Sequence, residues 1–165
     1  MKRIVVFGGL GLIGSHLCCR LADIGEEVVC IDIRDVEESM MVFPYYRDGR
    51  ISYINHNIIT PLILECDQIY NLASPTSVKH FQGHLVSLLR TNIVGTLNSL
   101  DLALRNRASV VYASSGDVYG SVTHNLSRES DIYAENLTTY AEGKRAAEAV
   151  CHAYRNEYDM QCGVA

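Results

Sequence analysis

The chain has 165 residues, of which 48% are hydrophobic and 20% charged, and its formal charge is −5. That length buries one good core, so residues 1–165 read as a single soluble domain. The acidic balance excludes a general nucleic-acid or membrane-surface binder, since either needs a basic face. A small anionic ligand, held by a few local donors, stays open.

Ile4–Phe7 is an apolar run, and Lys2–Phe7 reads as a buried strand. It is too short for a signal-peptide core, and no later run approaches a membrane span, so a cytoplasmic protein is expected. A glycine-rich turn follows, then a helix over Leu12–Ile24 and a strand over Glu27–Asp32. Ile33–Arg50 reads as a loop with a short helix. Ile51–Asn55 and Gln68–Ala73 are further short strands. Leu85, Leu88, Leu89, Ile93, Leu97, Leu100 and Leu104 have helical spacing, which predicts a helix over His84–Arg105. Ser109–Ser114 is another strand, Thr138–Tyr158 another helix, and Gln161–Ala165 the beginning of a sixth strand. Strands alternating with helices predict an α/β fold built on a doubly wound parallel sheet, the Rossmann arrangement.

Six cysteines show no C-x-x-C spacing and fit buried free thiols in a reducing compartment. His80 and His84 lie four apart but have no acidic or thiol companion at ligand spacing, so no metal site is expected.

The turn after the first strand, GGLGLIG, satisfies G-x-G-x-x-G at Gly9, Gly11 and Gly14 and G-x-x-G-x-x-G at Gly8, Gly11 and Gly14. Such glycines allow a tight turn and a close approach to a pyrophosphate, while the following helix offers N–H donors and a positive dipole end. Asp32 closes the second strand, eighteen residues beyond Gly14. A carboxylate there accepts from ribose hydroxyls and repels a 2′-phosphate, which predicts a dinucleotide site preferring NAD to NADP. Arg34, just past the acid, is the group that would meet a 2′-phosphate.

Tyr140 and Lys144 are four residues apart on the last helix and so share a face. Ser115 stands at the carboxyl end of a strand, twenty-five residues before Tyr140. Such strand ends line the ligand crevice of a doubly wound sheet. A hydroxyl, a phenol and an ammonium converging near a nicotinamide suit hydride chemistry at a carbinol. Each group also has a plain structural alternative: Ser115 as a turn cap, Tyr140 as surface, Lys144 as a solvated charge.

Taken together, GGLGLIG, Asp32, NLAS, TNIVGT, ASSGDVYG and YAEGK resemble the extended short-chain dehydrogenase/reductases (the NAD-dependent epimerase/dehydratase family). Within that group INHNIITPLILECDQIYNLASPTSVKHF and YAEGKRAAE are most similar to the UDP-glucuronate decarboxylases, or UDP-xylose synthases. The resemblance implies a lyase that decarboxylates UDP-glucuronate to UDP-xylose in three stages. Tyr140 deprotonates the sugar C4 hydroxyl as hydride passes to NAD, the resulting β-keto acid loses CO2, and hydride returns to C4.

The catalytic set it implies is Ser115, Asp117, Tyr140 and Lys144, with Asp117 acting in the middle steps. Gly8, Gly11, Leu12, Ile13, Asp32, Asn57, Ile58, Leu72, Ala73 and Ser74 are implied to hold NAD together with Tyr140 and Lys144. Pro75, Ser115 and Tyr140 are implied to meet the nucleotide sugar.

The chain departs from that pattern in several places. Asp117 stands where the family has Glu, one methylene longer. Asn57 replaces an Asp that usually contacts adenine. Gly116 stands where 4,6-dehydratases carry an acid, which argues against dehydration. The family's second, C-terminal part, which holds the sugar nucleotide, is expected to be absent from these residues, because the sequence stops as the sixth strand begins. The readings left open are a decarboxylase, a 4-epimerase or 4,6-dehydratase, and a half-protein that binds NAD without turnover. The helices carrying Leu88, Ile93, Leu97, Ala146, Ala147 and Val150 are implied to pair across a two-fold axis into a homodimer.

Overall fold

The computed structural model describes residues 1–75, 84–120 and 138–165. Six strands form one sheet: β1 (Arg3–Phe7), β2 (Glu27–Asp32), β3 (Ile51–Asn55), β4 (Gln68–Asn71), β5 (Ser109–Tyr112) and β6 (Cys162–Val164). They lie in the order β3-β2-β1-β4-β5-β6. Every neighbouring pair is parallel.

Among the described residues four α-helices flank the sheet: α1 (Leu12–Asp23), α2 (Val42–Arg47), α3 (Leu85–Asn106) and α4 (Thr139–Tyr158). The expected loop over Ile33–Arg50 thus holds a 3-10 turn at Val36–Glu38 as well as α2.

The strands read as apolar runs because both of their faces are covered. Along β1, Ile4 and Val6 pack with Cys18, Leu21 and Val42 under α1 and α2. Val5 and Phe7 point the other way, into a core with Leu100, Ala103, Ala147 and Cys151 from α3 and α4. Two cores back to back on one sheet are the signature of double winding. All six cysteines are buried free thiols divided between them.

α4 is closed at both ends and α3 at its C-terminus. Thr138 caps α4 by accepting from the Ala141 N–H at 3.1 Å, and Arg107 and Asp159 adopt left-handed backbone after α3 and α4. His84 is the residue before α3, while His80 lies outside the described residues.

β1 sits between β2 and β4, so the chain winds one way from β1 and then returns to its other side. This reversal opens a crevice beyond the carboxyl ends of β1 and β4.

Candidate dinucleotide and acid–base site

A cleft of about 500 Å³ opens at that reversal. Its walls include Gly8, Gly11, Leu12, Asp32, Asn57, Ile58, Leu72, Ala73, Ser74 and Pro75, so ten of the residues expected from the sequence come together there. Ile13 does not line it and is exposed on the first turn of α1.

The glycine turn is built by close contact. Gly8 has φ +75°, and a Cβ there would lie 2.9 Å from backbone atoms of Leu72 and Ala73. A Cβ on Gly14 would lie 2.2 Å from the Gly8 carbonyl oxygen. Turn, helix and β4 exit therefore pack at backbone distance, which leaves a cradle that side chains would fill. Gly11 precedes α1 and offers no side-chain cap, so the first N–H groups of the helix keep their donors for an anion. This donor set fits a pyrophosphate.

Asp32 is buried at the cleft wall. Its Oδ2 accepts from the Leu10 N–H at 3.0 Å, and its Oδ1 from the Arg34 N–H at 3.1 Å. The Arg34 guanidinium pairs with the same oxygen at 3.4 Å and lines the cleft half exposed. Asn57 turns its Oδ1 to the Ile59 N–H at 3.2 Å, while Ile58 is buried against Gly95 of α3.

The β4 exit is shaped by a residue that the sequence reading left without a role. Asn71 is 1% exposed; its amide donates to Thr96 and Ser99, and its Oδ1 accepts from the Ala73 N–H at 3.3 Å. That last bond turns the chain out of the sheet, so the strand ends at Asn71 rather than at Ala73. Ser74 in turn donates to Asn92 of α3 at 2.9 Å. His56, Ser87 and Thr91 also line the cleft and were not foreseen. For Asn92 the available signal was a polar residue four positions beyond Leu88, in helical spacing with it.

Ser115, Asp117, Tyr140 and Lys144 lie outside the cleft lining, beyond the neighbouring strand end. Asn71 and Tyr112 are in register across β4 and β5, so Leu72–Ser74 and Ala113–Ser115 leave the sheet side by side. Ser115 precedes the 3-10 turn Gly116–Tyr119, and its Oγ accepts from the Asp117 N–H at 3.2 Å. The capping alternative is thus realised, while the Asp117 side chain is exposed.

Lys144 is no solvated charge. It is 3% exposed, and its Nζ donates to the Ala113 carbonyl at 2.8 Å. The same Nζ lies 4.9 Å from the Tyr112 ring centroid and 5.8 Å from that of Tyr140. Burial pushes this ammonium down to about 8, and the Glu148 carboxylate works in the opposite direction. Gly143 lets α4 approach Asn92, since a Cβ there would meet Asn92 Nδ2 at 3.1 Å. Asn92 therefore bridges the cleft wall and the helix that carries Tyr140 and Lys144.

The reversal crevice, glycine turn and strand-end acid define a dinucleotide-binding domain of the doubly wound class. A sequence profile described as the NAD dependent epimerase/dehydratase family matches residues 4–165, and the chain belongs to that family. UDP-glucuronic acid decarboxylase 1 of Xenopus tropicalis is 38% identical over 99% of this chain and 40% of its own length. UDP-glucuronic acid decarboxylase 1 of Arabidopsis thaliana is 36% identical over 99% of this chain and 38% of its own length.

Among solved structures, a UDP-galactose 4-epimerase superposes with a TM-score of 0.84 at 27% identity, over 98% of this chain and 54% of that one. DesIV, a dTDP-glucose 4,6-dehydratase from Streptomyces venezuelae with NAD and TYD bound, gives 0.86 at 26% identity over 98% and 54%. MoeE5 in complex with UDP-glucuronic acid and NAD gives 0.81 at 25% identity over 98% and 52%. The chain spans about two fifths of the length of these curated relatives. Among the described residues no helix is long and apolar enough to cross a membrane.

Proposed function

We propose that residues 1–165 form the NAD-binding half of a nucleotide-sugar decarboxylase that converts UDP-glucuronate to UDP-xylose. The observation that carries the chemistry is the buried Lys144 ammonium beside the Tyr140 ring, one strand end away from the dinucleotide cleft. The choice of decarboxylation rests on the similarity to UDP-glucuronic acid decarboxylases across 99% of the chain.

In this reading Gly8, Gly11 and the first turn of α1 hold the pyrophosphate, and Asp32 accepts from the adenosine ribose. Leu12, Asn57 and Ile58 complete the adenosine side, with Leu72, Ala73 and Ser74 on the nicotinamide side. When bound, NAD supplies the hydride acceptor, and later the donor, for the sugar C4. The Tyr140 phenolate takes the proton of the C4 hydroxyl. The Lys144 ammonium stabilises that phenolate, and the Ser115 hydroxyl orients the C4 oxygen. A ketone at C4 makes the sugar a β-keto acid, whose carboxylate leaves as CO2 with the bond electrons passing into an enolate. Asp117 is the acid at hand to protonate C5, and Pro75 borders the sugar.

A second reading, 4-epimerisation, needs no acid at position 117 and is favoured by the exposed side chain of Asp117. Offering UDP-glucuronate and UDP-glucose separately, and assaying CO2, UDP-xylose and UDP-galactose, separates the two.

NAD is expected to bind more tightly than NADP, and Asp32→Ala to narrow the gap by weakening NAD and removing the repulsion of a 2′-phosphate. Calorimetry with both nucleotides checks this, and equal affinity for the unaltered chain would count against Asp32 as the ribose acid.

A polypeptide of these 165 residues is expected to bind NAD yet release CO2 from UDP-glucuronate no faster than its Tyr140→Phe variant. Remote binding energy positions C4, and in this reading it comes from a second half outside these residues. Robust release dependent on Tyr140 would mean that the substrate site is complete within them.

Homodimerisation through α3 and α4 also remains a proposal, with one correction to its surface. Leu88 and Ala147 are buried inside the chain, so neither is open to a partner. Ile93, Leu97, Ala146 and Val150 are only half-buried and stay available. Light scattering that gives a monomer mass at high concentration would remove this element.

A further inference from the structure

We propose that Tyr112, seconded by Glu148, is a positioning residue that keeps the Lys144 ammonium charged inside the protein, the face of its ring standing in for water. The inference rests on reading Lys144 as the ammonium that serves Tyr140. An ammonium has three N–H donors, and at Lys144 the Ala113 carbonyl takes one. No carboxylate lies within ion-pair reach of it among the described residues. What Nζ does face is the Tyr112 ring at 4.9 Å, nearer than the Tyr140 ring at 5.8 Å. Both distances are within the range at which a ring quadrupole attracts a cation, and the attraction grows when water is excluded.

Tyr112 is itself an odd core residue. It is 1% exposed, and its hydroxyl faces Thr96 without making a hydrogen bond of ordinary geometry. Burying an unpaired hydroxyl is unfavourable, so the useful part of this side chain is the ring. Burial also pushes its phenol well above the ordinary tyrosine range, which leaves it neutral and unfit as a rival to Tyr140 as base.

Glu148 lies one helical turn beyond Lys144, and its carboxylate accepts from the Ser114 hydroxyl, adjacent to Ser115. It thereby ties α4 to the β5 exit. Charged and titratable groups on the elements packed against Lys144 include Tyr140, Glu142, Arg145, Glu148, Cys151, His152 and Arg155 on α4, Tyr112 on β5, Asp117 and Tyr119 on the following turn, and Arg90, Asp101 and Arg105 on α3. Of these, the Glu148 carboxylate is the one whose charge holds the proton on Lys144 against burial.

The chain has three lysines, Lys2, Lys79 and Lys144, so ¹³Cε-lysine labelling gives a short spectrum in which Lys144→Arg assigns the signal of interest. Its midpoint is followed from neutral to strongly alkaline pH, with an expected value of about 8. Tyr112→Phe should leave it in place, because the ring face is kept. Tyr112→Leu should lower it by about one pH unit, a tenfold change equivalent to about 1.4 kcal/mol, and Glu148→Gln should lower it too. Phenylalanines with one, two or three ring fluorines, encoded at position 112, keep the shape while draining the ring's negative face, and should lower the midpoint stepwise. If the Leu variant does not fold, this series decides.

A midpoint unmoved across the fluorinated series would overturn the proposal. A Phe variant that falls as far as the Leu variant would overturn it as well, by assigning the effect to the hydroxyl. The readout is Lys144 alone, so a chain that failed to bind NAD would sink the functional reading while leaving this measurement intact.

Discussion

A Gly14→Ala chain is expected to lose detectable NAD binding and to be less stable by about 3 kcal/mol, at the upper end of ordinary overpacking. The added Cβ would stand 2.2 Å from the Gly8 carbonyl oxygen, 2.8 Å from Gly9 Cα and 3.0 Å from the Gly8 carbonyl carbon. All three are backbone atoms, so no rotamer change relieves the clash, and α1 must be pushed off the turn. That movement takes the N-terminal N–H groups away from the place where a pyrophosphate is held. Gly116→Ala is the matched control, because a Cβ there meets nothing within 4 Å, and it should lie within about 0.5 kcal/mol of the parent. Urea unfolding and calorimetry on the two variants give both numbers. A Gly14→Ala chain of parental stability would mean that the turn is not packed as described.

Lys144→Met should be more stable than the parent at pH 7, by about 2 kcal/mol, while losing any activity that depends on Tyr140. Burial holds the folded ammonium at about 8, against an ordinary value of 10.5. Folding therefore opposes the charge, at a cost on the order of 3 kcal/mol. The Ala113 carbonyl loses its donor on substitution, and this offsets part of the gain. The pH dependence carries the sign. Below about 8 both folded and unfolded chains hold the Lys144 proton, and the penalty is full and constant. Between about 8 and 10.5 the unfolded chain binds a proton that the folded chain lacks, so parental stability rises with pH and the advantage of the Met variant shrinks. Urea unfolding of both proteins across that window tests it, and a Met variant less stable than the parent at pH 7 would show that the buried charge is well solvated by the protein. Carrying a costly charge in the core is what a group tuned for acid–base work looks like.

The readable features of the site are those that local covalent geometry dictates. The glycines of GGLGLIG could be assigned because a turn that meets a helix and a neighbouring strand at backbone distance tolerates no Cβ, whatever surrounds it. The Tyr140–Lys144 pair was visible because the pitch of a helix puts residues four apart on one face. Where local geometry did not dominate, the sequence carried no comparable signal. Asn92 belongs to a motif, TNIVGT, that helped to place the family, yet its contact with Ser74 and its approach to Gly143 depend on how α3 lies between β4 and α4. Asn71 looked like one more strand residue until its side chain was seen to turn the backbone at Ala73.

By itself, then, the sequence determined the element types, the alternation of strand and helix, the glycine turn and the acid at the end of β2. Each of these is a constraint within a few residues: apolar runs for strands buried on both faces, helical spacing for the long helices, and absent Cβ atoms at a tight turn. Only the tertiary structure decided that β4 returns beside β1, that Lys144 lies in the core over Tyr112, and that Leu88 and Ala147 face inward. Parallel strands pair through backbone hydrogen bonds that carry no side-chain identity, and burial is a property of the neighbours that long-range packing supplies. A lysine in a helix reads the same whether its face meets water or a sheet, and here the sheet's β5 made it a buried charge.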